Sequence, residues 1–295
     1  MTPLVPRSAP ALVTGCSSGI GRATALRLVA SGRPTYATAR RPETLDALAS
    51  AGARVLPLDV TDEASMVAAV GRVADEAGPV GALVNNAGYG EYGPVEEVRL
   101  DAVRRQFETN VFGLLRLTQL VLPGMRARGS GRIVNVSSMG GRMTLPGGGV
   151  YHASKYAMEA LTDALRFETR GFGLGVSLVE PGPVYTPFAE EATAAPSSSG
   201  PYAAFRRGVA ERNAATYDNP SGRGTSSAED VADVILSAVE ARRPRARYLV
   251  GVTSRVLVWG HQVLPTPIWD AMLRRSYPTP APGPGLSAGG PSVRP

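Results

Sequence analysis

Cysteine occurs once in this chain of 295 residues, at Cys16, so no disulfide can form within it. Lysine is equally scarce: among 31 basic residues Lys155 is the single lysine, and the rest are arginine. The two histidines, His152 and His261, stand at no spacing that would join them on a metal, and no metal is expected. No apolar run reaches the roughly 18 residues of a membrane-spanning helix. The opening MTPLVPRSAP lacks the apolar core of a secretory leader. These absences point to a cytoplasmic location without stable membrane insertion. The formal charge is +6, yet the arginines are scattered and form no basic run interleaved with aromatics, which excludes a nucleic-acid groove as the leading reading. A pI near 9.8 fits an Arg-rich background and an anionic small-molecule ligand better. Homo-oligomer formation stays open.

What is present reads as a globular enzyme-sized domain. Hydrophobic residues make up 43% and charged residues 19%, and the length suits one continuous core. Short runs rich in Val, Leu and Ala alternate with longer amphipathic stretches. Strands are predicted near Ala11–Thr14, Thr35–Ala39, Arg54–Leu58, Ala82–Asn85, Arg132–Val136, Gly175–Glu180 and Tyr248–Val250. Helices are predicted over Gly19–Ser31, Asp62–Ala77, Leu100–Arg128 with a kink or fraying near Pro123, Val150–Phe172 and Ala228–Ala241. The alternation implies an α/β, doubly wound, Rossmann-type parallel sheet of about seven strands in a single domain, with its ligand crevice at the carboxyl ends of the strands.

Three segments depart from the pattern. Thr186–Arg223, rich in Ser, Ala, Gly and Pro, is a candidate lid within a catalytic domain over residues 1–250. Residues 251–277 form an arm of two short amphipathic helices broken at Pro265 and Pro267, expected to pack on the domain or cover the crevice. A subunit contact or membrane-surface binding through its apolar face and Arg274-Arg275 are the alternatives. The remainder, 278–295, reads PTPAPGPGLSAGGPSVRP and has almost nothing to bury.

Chemistry concentrates at strand ends. After the first strand stands Thr14-Gly15-Cys16-Ser17-Ser18-Gly19-Ile20-Gly21, where glycines permit a tight turn and the close approach of a pyrophosphate to a helix N-terminus. A ligand-free glycine turn is the bland reading of this piece alone. The second strand ends in Arg40-Arg41-Pro42 with no acid at its edge; an acid there would receive the ribose hydroxyl of NAD, whereas arginine suits the 2'-phosphate of NADP. Arg40 is the candidate clamp, with Ser17 and Arg41 as helpers. Tyr151-His152-Ala153-Ser154-Lys155 places a phenol and an ammonium four residues apart on one helix face. A phenol ordinarily titrates near ~10, and a neighbouring cation brings it closer to working range. That the chain keeps its one lysine here suggests a slim, pivoting ammonium is needed. His152, on another face of the helix, is not expected to share the tyrosine's role.

Taken together, these motifs resemble those of the short-chain dehydrogenase/reductase family across Ala11 to Thr186. The wording TGCSSGIG, the Arg-ended second strand and YHASK are nearest the branch of 17β-hydroxysteroid and retinol dehydrogenases. The resemblance implies NADP-dependent hydride transfer to or from a hydroxyl or carbonyl carbon, with Tyr151 as acid/base, Lys155 and Ser138 assisting (Ser137 being the alternative to Ser138), and Asn110 as the fourth member, in a bent helix that holds a relay water. It also implies that Asp59 and Val60 contact the adenine, that Asn86, Ala87 and Gly88 run along the riboses, and that Pro181, Gly182, Val184 and Thr186 hold the carboxamide. Pocket walls are expected from Tyr89, Tyr92, Met139, Met143, Leu145, Val150, Tyr185 and Phe188, which favours a mainly apolar substrate. A cofactor-binding regulator that has lost its chemistry would lack the tyrosine or lysine, and an epimerase or dehydratase of the superfamily would space its glycines differently from Gly15, Gly19 and Gly21.

Overall fold

A computed structural model of the chain describes residues 4–186, 199–217 and 225–280. Seven strands form one sheet: β1 (Ala11–Val13), β2 (Thr35–Ala39), β3 (Arg54–Pro57), β4 (Ala82–Asn85), β5 (Gly131–Val136), β6 (Leu174–Pro181) and β7 (Arg247–Val250). Their order is β3-β2-β1-β4-β5-β6-β7, and every neighbouring pair is parallel. This is the doubly wound Rossmann-type sheet read from the sequence. The winding reverses between β1 and β4, which opens a crevice at the carboxyl end of β1.

The helices α1 (Gly19–Ala30), α2 (Asp46–Ser50), α3 (Glu63–Ala77), α4 (Leu100–Phe107), α5 (Leu114–Arg128), α6 (Gly149–Glu168), α7 (Ala203–Tyr217), α8 (Ala228–Glu240), α9 (Val252–Val263) and α10 (Thr266–Ser276) flank it. Every residue of β1, β2 and β4 is buried, which is why these strands read as apolar runs without polar alternation. Ala11, Val13 and Ala37 face Leu28 of α1 and Ile235 of α8. Leu12, Leu83 and Ile133 point the other way, onto Val73 of α3 and Leu117 of α5. Each such buried Leu, Ile or Val contributes about 1.5–3 kcal/mol.

Local chemistry sets the helix ends. Asp62 caps α3 by accepting from the backbone N–H groups of Ala64 and Ser65 at 2.9 and 3.4 Å. Ser227 and Asp230 form a reciprocal capping box at the start of α8.

Two helix expectations are corrected. The stretch Leu100–Arg128 is not one helix kinked at Pro123: α5 runs through Pro123, and the irregularity is a π-helical turn over Glu108–Gly113. The helix after Tyr151 stops at Glu168, and Arg170–Phe172 forms a separate 3-10 turn before the left-handed Gly173 at φ 74°.

In the arm, α9 and α10 meet at Pro265, which starts α10, while Pro267 lies within its first turn. Trp269 and Val258 bury against Met143. Of the candidate lid, residues 187–198 and 218–223 lie outside the described residues; α7 is its described part. Phe188 and residues 281–295 also lie outside them.

Candidate active site

The β1–α1 loop shows two different reasons for its three glycines. Gly15 and Gly19 have φ of 69° and 52°, a region other residues rarely adopt. Gly21 has no such need, but a Cβ on it would overlap the Gly15 carbonyl oxygen and lie 2.5 Å from Asn86 Nδ2. Asn86 ties the loop to β4: its Nδ2 donates to the carbonyl oxygens of Thr14 and Gly15 at 3.0 and 3.1 Å, while Thr14 Oγ1 accepts from the N–H groups of Asn86 and Ala87. Asn86 thus spends its amide on the loop. Ser18 begins α1 without a side-chain cap and no acid lies in the first turn, so the positive end of the helix is left for an anion.

On the other side of β1, β2 is followed directly by Arg40, which is exposed and lines the crevice. Arg41 does not line it; its carbonyl accepts from Thr44 Oγ1 at 2.7 Å, within the turn that starts at Pro42. Asp59 Oδ1 is engaged with the Thr61 N–H and hydroxyl at 2.9 and 2.8 Å.

Beyond β5, Ser138 starts a 3-10 turn and its Oγ accepts from the Gly140 N–H at 3.0 Å. The hydroxyl proton stays available to another acceptor. Tyr151 and Lys155 lie on α6, both buried, with Lys155 Nζ 5.9 Å from the Tyr151 ring centroid. Lys155 Nζ donates to the Val136 carbonyl at 2.9 Å. Burial pulls its ammonium down to about 8, against the opposing charge of Glu159. The Tyr92 ring stacks on Tyr151, centroids 5.6 Å apart.

Asn110 sits in the π-helical turn. Its Nδ2 donates to the Tyr89 carbonyl and Ser154 Oγ at 2.9 and 3.0 Å, and its Oδ1 accepts from the Tyr89 N–H at 3.2 Å. It therefore braces the segment after β4 against α6.

These pieces share one cavity of about 420 Å³. Every catalytic and cofactor residue proposed from the sequence lines it except the helper Arg41, and Gly21 and Asn110, which stand behind the wall. Thr186 faces the glycine loop across the crevice: a Cβ on Gly19 would come within 3.1 Å of Thr186 Cγ2. The glycine cradle and the open helix end fit the pyrophosphate of a nicotinamide dinucleotide. Among the predicted walls, Tyr89, Tyr92, Met139 and Leu145 line the cavity, but Met143, Val150 and Tyr185 do not. Met143 is turned into the arm's core, and Tyr185 is 58% exposed.

Two groups escaped sequence reasoning. His152 lines the cavity, its ring 5.4 Å from that of Tyr151 and its Nδ1 3.1 Å from the Gly140 carbonyl. Burial lowers its pKa to about 4, so the ring is neutral at pH 7. The signal was the flanking glycines: a Cβ on Gly140 would overlap the ring, and one on Gly148 would lie 2.5 Å from Nε2. Tyr277, just after α10, also lines the cavity and had no local motif to mark it.

A parallel sheet wound in this order, with a glycine loop at its switch point and a Tyr–Lys couple beside it, belongs to the Rossmann-type class. Residues 9–197 match the family model described as short chain dehydrogenase. The chain is 35% identical over 270 residues to the uncharacterized oxidoreductase YbbO of Escherichia coli K12, covering 89% of this chain and 93% of that one. It is 37% identical over 255 residues to human 17-beta-hydroxysteroid dehydrogenase type 1, covering 80% and 76%. A crystal structure of a short-chain dehydrogenase from Streptomyces avermitilis superposes with a TM-score of 0.75 at 34% identity, over 90% of this chain and 95% of that one. The chain belongs to the short-chain dehydrogenase/reductase family of oxidoreductases. No helix among the described residues is long and apolar enough to cross a membrane, and none of their acidic, His or Cys side chains cluster as a metal site.

Proposed function

We propose that the chain is an NADP-dependent oxidoreductase acting on a hydroxyl- or carbonyl-bearing carbon of a mainly apolar small molecule, with Tyr151 as the acid/base. The observation that carries this reading is the convergence of the glycine loop, Arg40, Ser138, Tyr151 and Lys155 on one cavity. When bound, the nicotinamide supplies or takes up the hydride. Ser138 holds the substrate oxygen through its unspent hydroxyl proton. Tyr151 gives that oxygen a proton in reduction and takes one in oxidation. Lys155, an ammonium at pH 7, favours the phenolate. Neutral His152 and the Tyr92 ring fix the phenol's surroundings without competing for its proton. Asn110 acts at one remove, by holding Ser154 and the Tyr89 backbone. Arg40 reads the 2'-phosphate, since no acid stands at the end of β2. Residues 1–250 carry these functions, and Asn213 and Thr216 of α7 line the cavity.

The test is turnover of a panel of apolar ketones by the parent protein and by Tyr151→Phe, beside cofactor titrations. Tyr151→Phe keeps the ring and removes the proton, so turnover should nearly vanish while NADPH still binds; retention of most activity would overturn the acid/base assignment. NADPH should bind at least about tenfold more tightly than NADH, a gap of roughly 1.4 kcal/mol, and Arg40→Asp should narrow or reverse it. Equal affinities in the parent would sink the role of Arg40.

A further inference from the structure

On α6 the residues Tyr151, Lys155, Glu159 and Asp163 follow one another at four-residue intervals, so the phenol–ammonium couple continues along one helix face into two acids. Glu159 is 5% exposed, a rare state for a carboxylate unless it is paired. Behind it, from β6, stands Glu180 with no exposure at all. Arg247 of β7 joins the three acids: its Nε lies 2.9 Å from Glu180 Oε1, and its NH2 lies 3.0 Å from Glu159 Oε2 and 2.6 Å from Asp163 Oδ2. Arg142, in the turn after Ser138, reaches Glu180 Oε2 at 3.5 Å.

The front of this cluster touches the active-site cavity. A Cβ on Gly141 would lie 2.8 Å from Ser137 Oγ and 3.1 Å from Glu159 Oε1, so the glycine's bareness lets the two groups converge over it. Ser137 lines the cavity beside Ser138, and Lys155 hangs from the carbonyl of the residue before it, Val136. The charged and titratable groups facing Glu159 are therefore Lys155, Tyr156 and Asp163 from its own helix, Ser137 and Arg142 from the β5 end, Glu180 from β6 and Arg247 from β7.

We propose that Glu159 is a positioning residue for the reaction: together with Glu180 it forms a buried carboxyl pair that supplies the negative charge keeping Lys155 an ammonium beside Tyr151. Burial raises both carboxyls, Glu180 to about 7, and the charge of Glu159 pushes Glu180 up further. The charge of each disfavours that of the other, so the pair resists carrying two negative charges. Arg142 and Arg247 favour the ionised form of both, and Ser137 adds to that of Glu159, the nearer to Lys155 along α6. Removing Glu180 should concentrate negative charge on Glu159; removing Glu159 should withdraw it from Lys155. The inference rests on the proposed role of the Tyr–Lys couple, but its central measurement does not.

Because Lys155 is the single lysine, protein grown with 13Cε-lysine shows one side-chain resonance, whose shift with pH titrates this ammonium directly in the free protein. In Glu159→Gln the proton affinity of Lys155 should fall about tenfold, as expected for loss of an opposite charge at short range. Glu159→Asp should restore most of it, and Glu180→Gln should leave it equal or higher. The basic limb of the turnover–pH profile should move down with the lysine in Glu159→Gln. A purely structural role would lower melting temperature in both Gln variants without moving the lysine in these different directions. An unmoved lysine in folded Glu159→Gln, or a fall in Glu180→Gln, overturns the proposal; should Glu159→Gln fail to fold, the Glu159→Asp and Glu180→Gln titrations decide it. Parent protein that turns over no carbonyl while the lysine titrates as described would defeat the functional reading and leave the electrostatic one standing.

Discussion

Lys155 shows how tightly one residue can be specified. Its ammonium is buried, bonded to the Val136 carbonyl and flanked along α6 by Tyr151 and Glu159. An arginine keeps the charge but brings a planar fork that needs more volume and several acceptors. Lys155→Arg should therefore cost turnover severely, on the order of 100-fold or more as for loss of a transition-state interaction. It should also weaken NADPH binding, which fluorescence titration would measure. Parental rate and affinity would reduce the solitary lysine to an accident of composition. The pairing with Tyr151 was legible in the sequence because a four-residue spacing on a helix is a local fact. The carbonyl acceptor and Glu180 were not, since they come from β5 and β6.

At the scale of elements, the β1–α1 turn works through backbone contact more than through side chains. Gly21→Ala would set a methyl against the Gly15 carbonyl and the Asn86 amide, so the loop must shift. Overpacking of this kind costs about 1–3 kcal/mol. The melting temperature should drop by several degrees and NADPH affinity by at least about tenfold; unchanged affinity would mean that the loop does not cradle the phosphates. The three-glycine pattern was visible in the sequence, whereas the reason for Gly21 was not, because it depends on β4 lying next to β1. The break in the stretch Leu100–Arg128 was misplaced for a related reason. Proline is a local signal, whereas the π-helical turn holds Asn110 in hydrogen bonds with Tyr89 and Ser154, partners that come from outside the helix.

For the molecule as a whole, two buried groups oppose each other in their effect on stability. His152 is held at about 4 against an ordinary 6.5, so the unfolded chain binds more protons between those values and the contribution of His152 grows as pH rises through them. Glu180 is held at about 7 against an ordinary 4.5, so the folded chain binds more protons there and the contribution of Glu180 shrinks as pH rises. Glu159, also raised, acts in the same sense as Glu180. The carboxylates held below their ordinary range, among them Asp101, Glu63 and Asp163, act at lower pH. Between about 4.5 and 6.5 the rise from His152 should thus offset part of the fall from the two glutamates. Urea unfolding across that window should give, relative to the parent, a steeper fall with rising pH for His152→Asn and a shallower one for Glu180→Gln. One common slope for all three proteins would refute the opposition.

The sequence by itself determined the alternation of strand and helix, the glycine turn, the arginine at the end of β2 and the Tyr–Lys spacing. Each of these is settled within one turn of helix or one loop, where steric freedom and side-chain periodicity act on neighbours. Tertiary structure alone decided that Met143 serves the arm's core and not the cavity, that Tyr277 reaches the cavity from beyond β7, and that His152 is clamped neutral between Gly140 and Gly148. It also gathered Glu159, Glu180 and Arg247 from a helix and two strands into one buried cluster. The physical reason is that burial and charge pairing depend on which elements lie side by side, and that is fixed by the packing of the whole sheet and its helices.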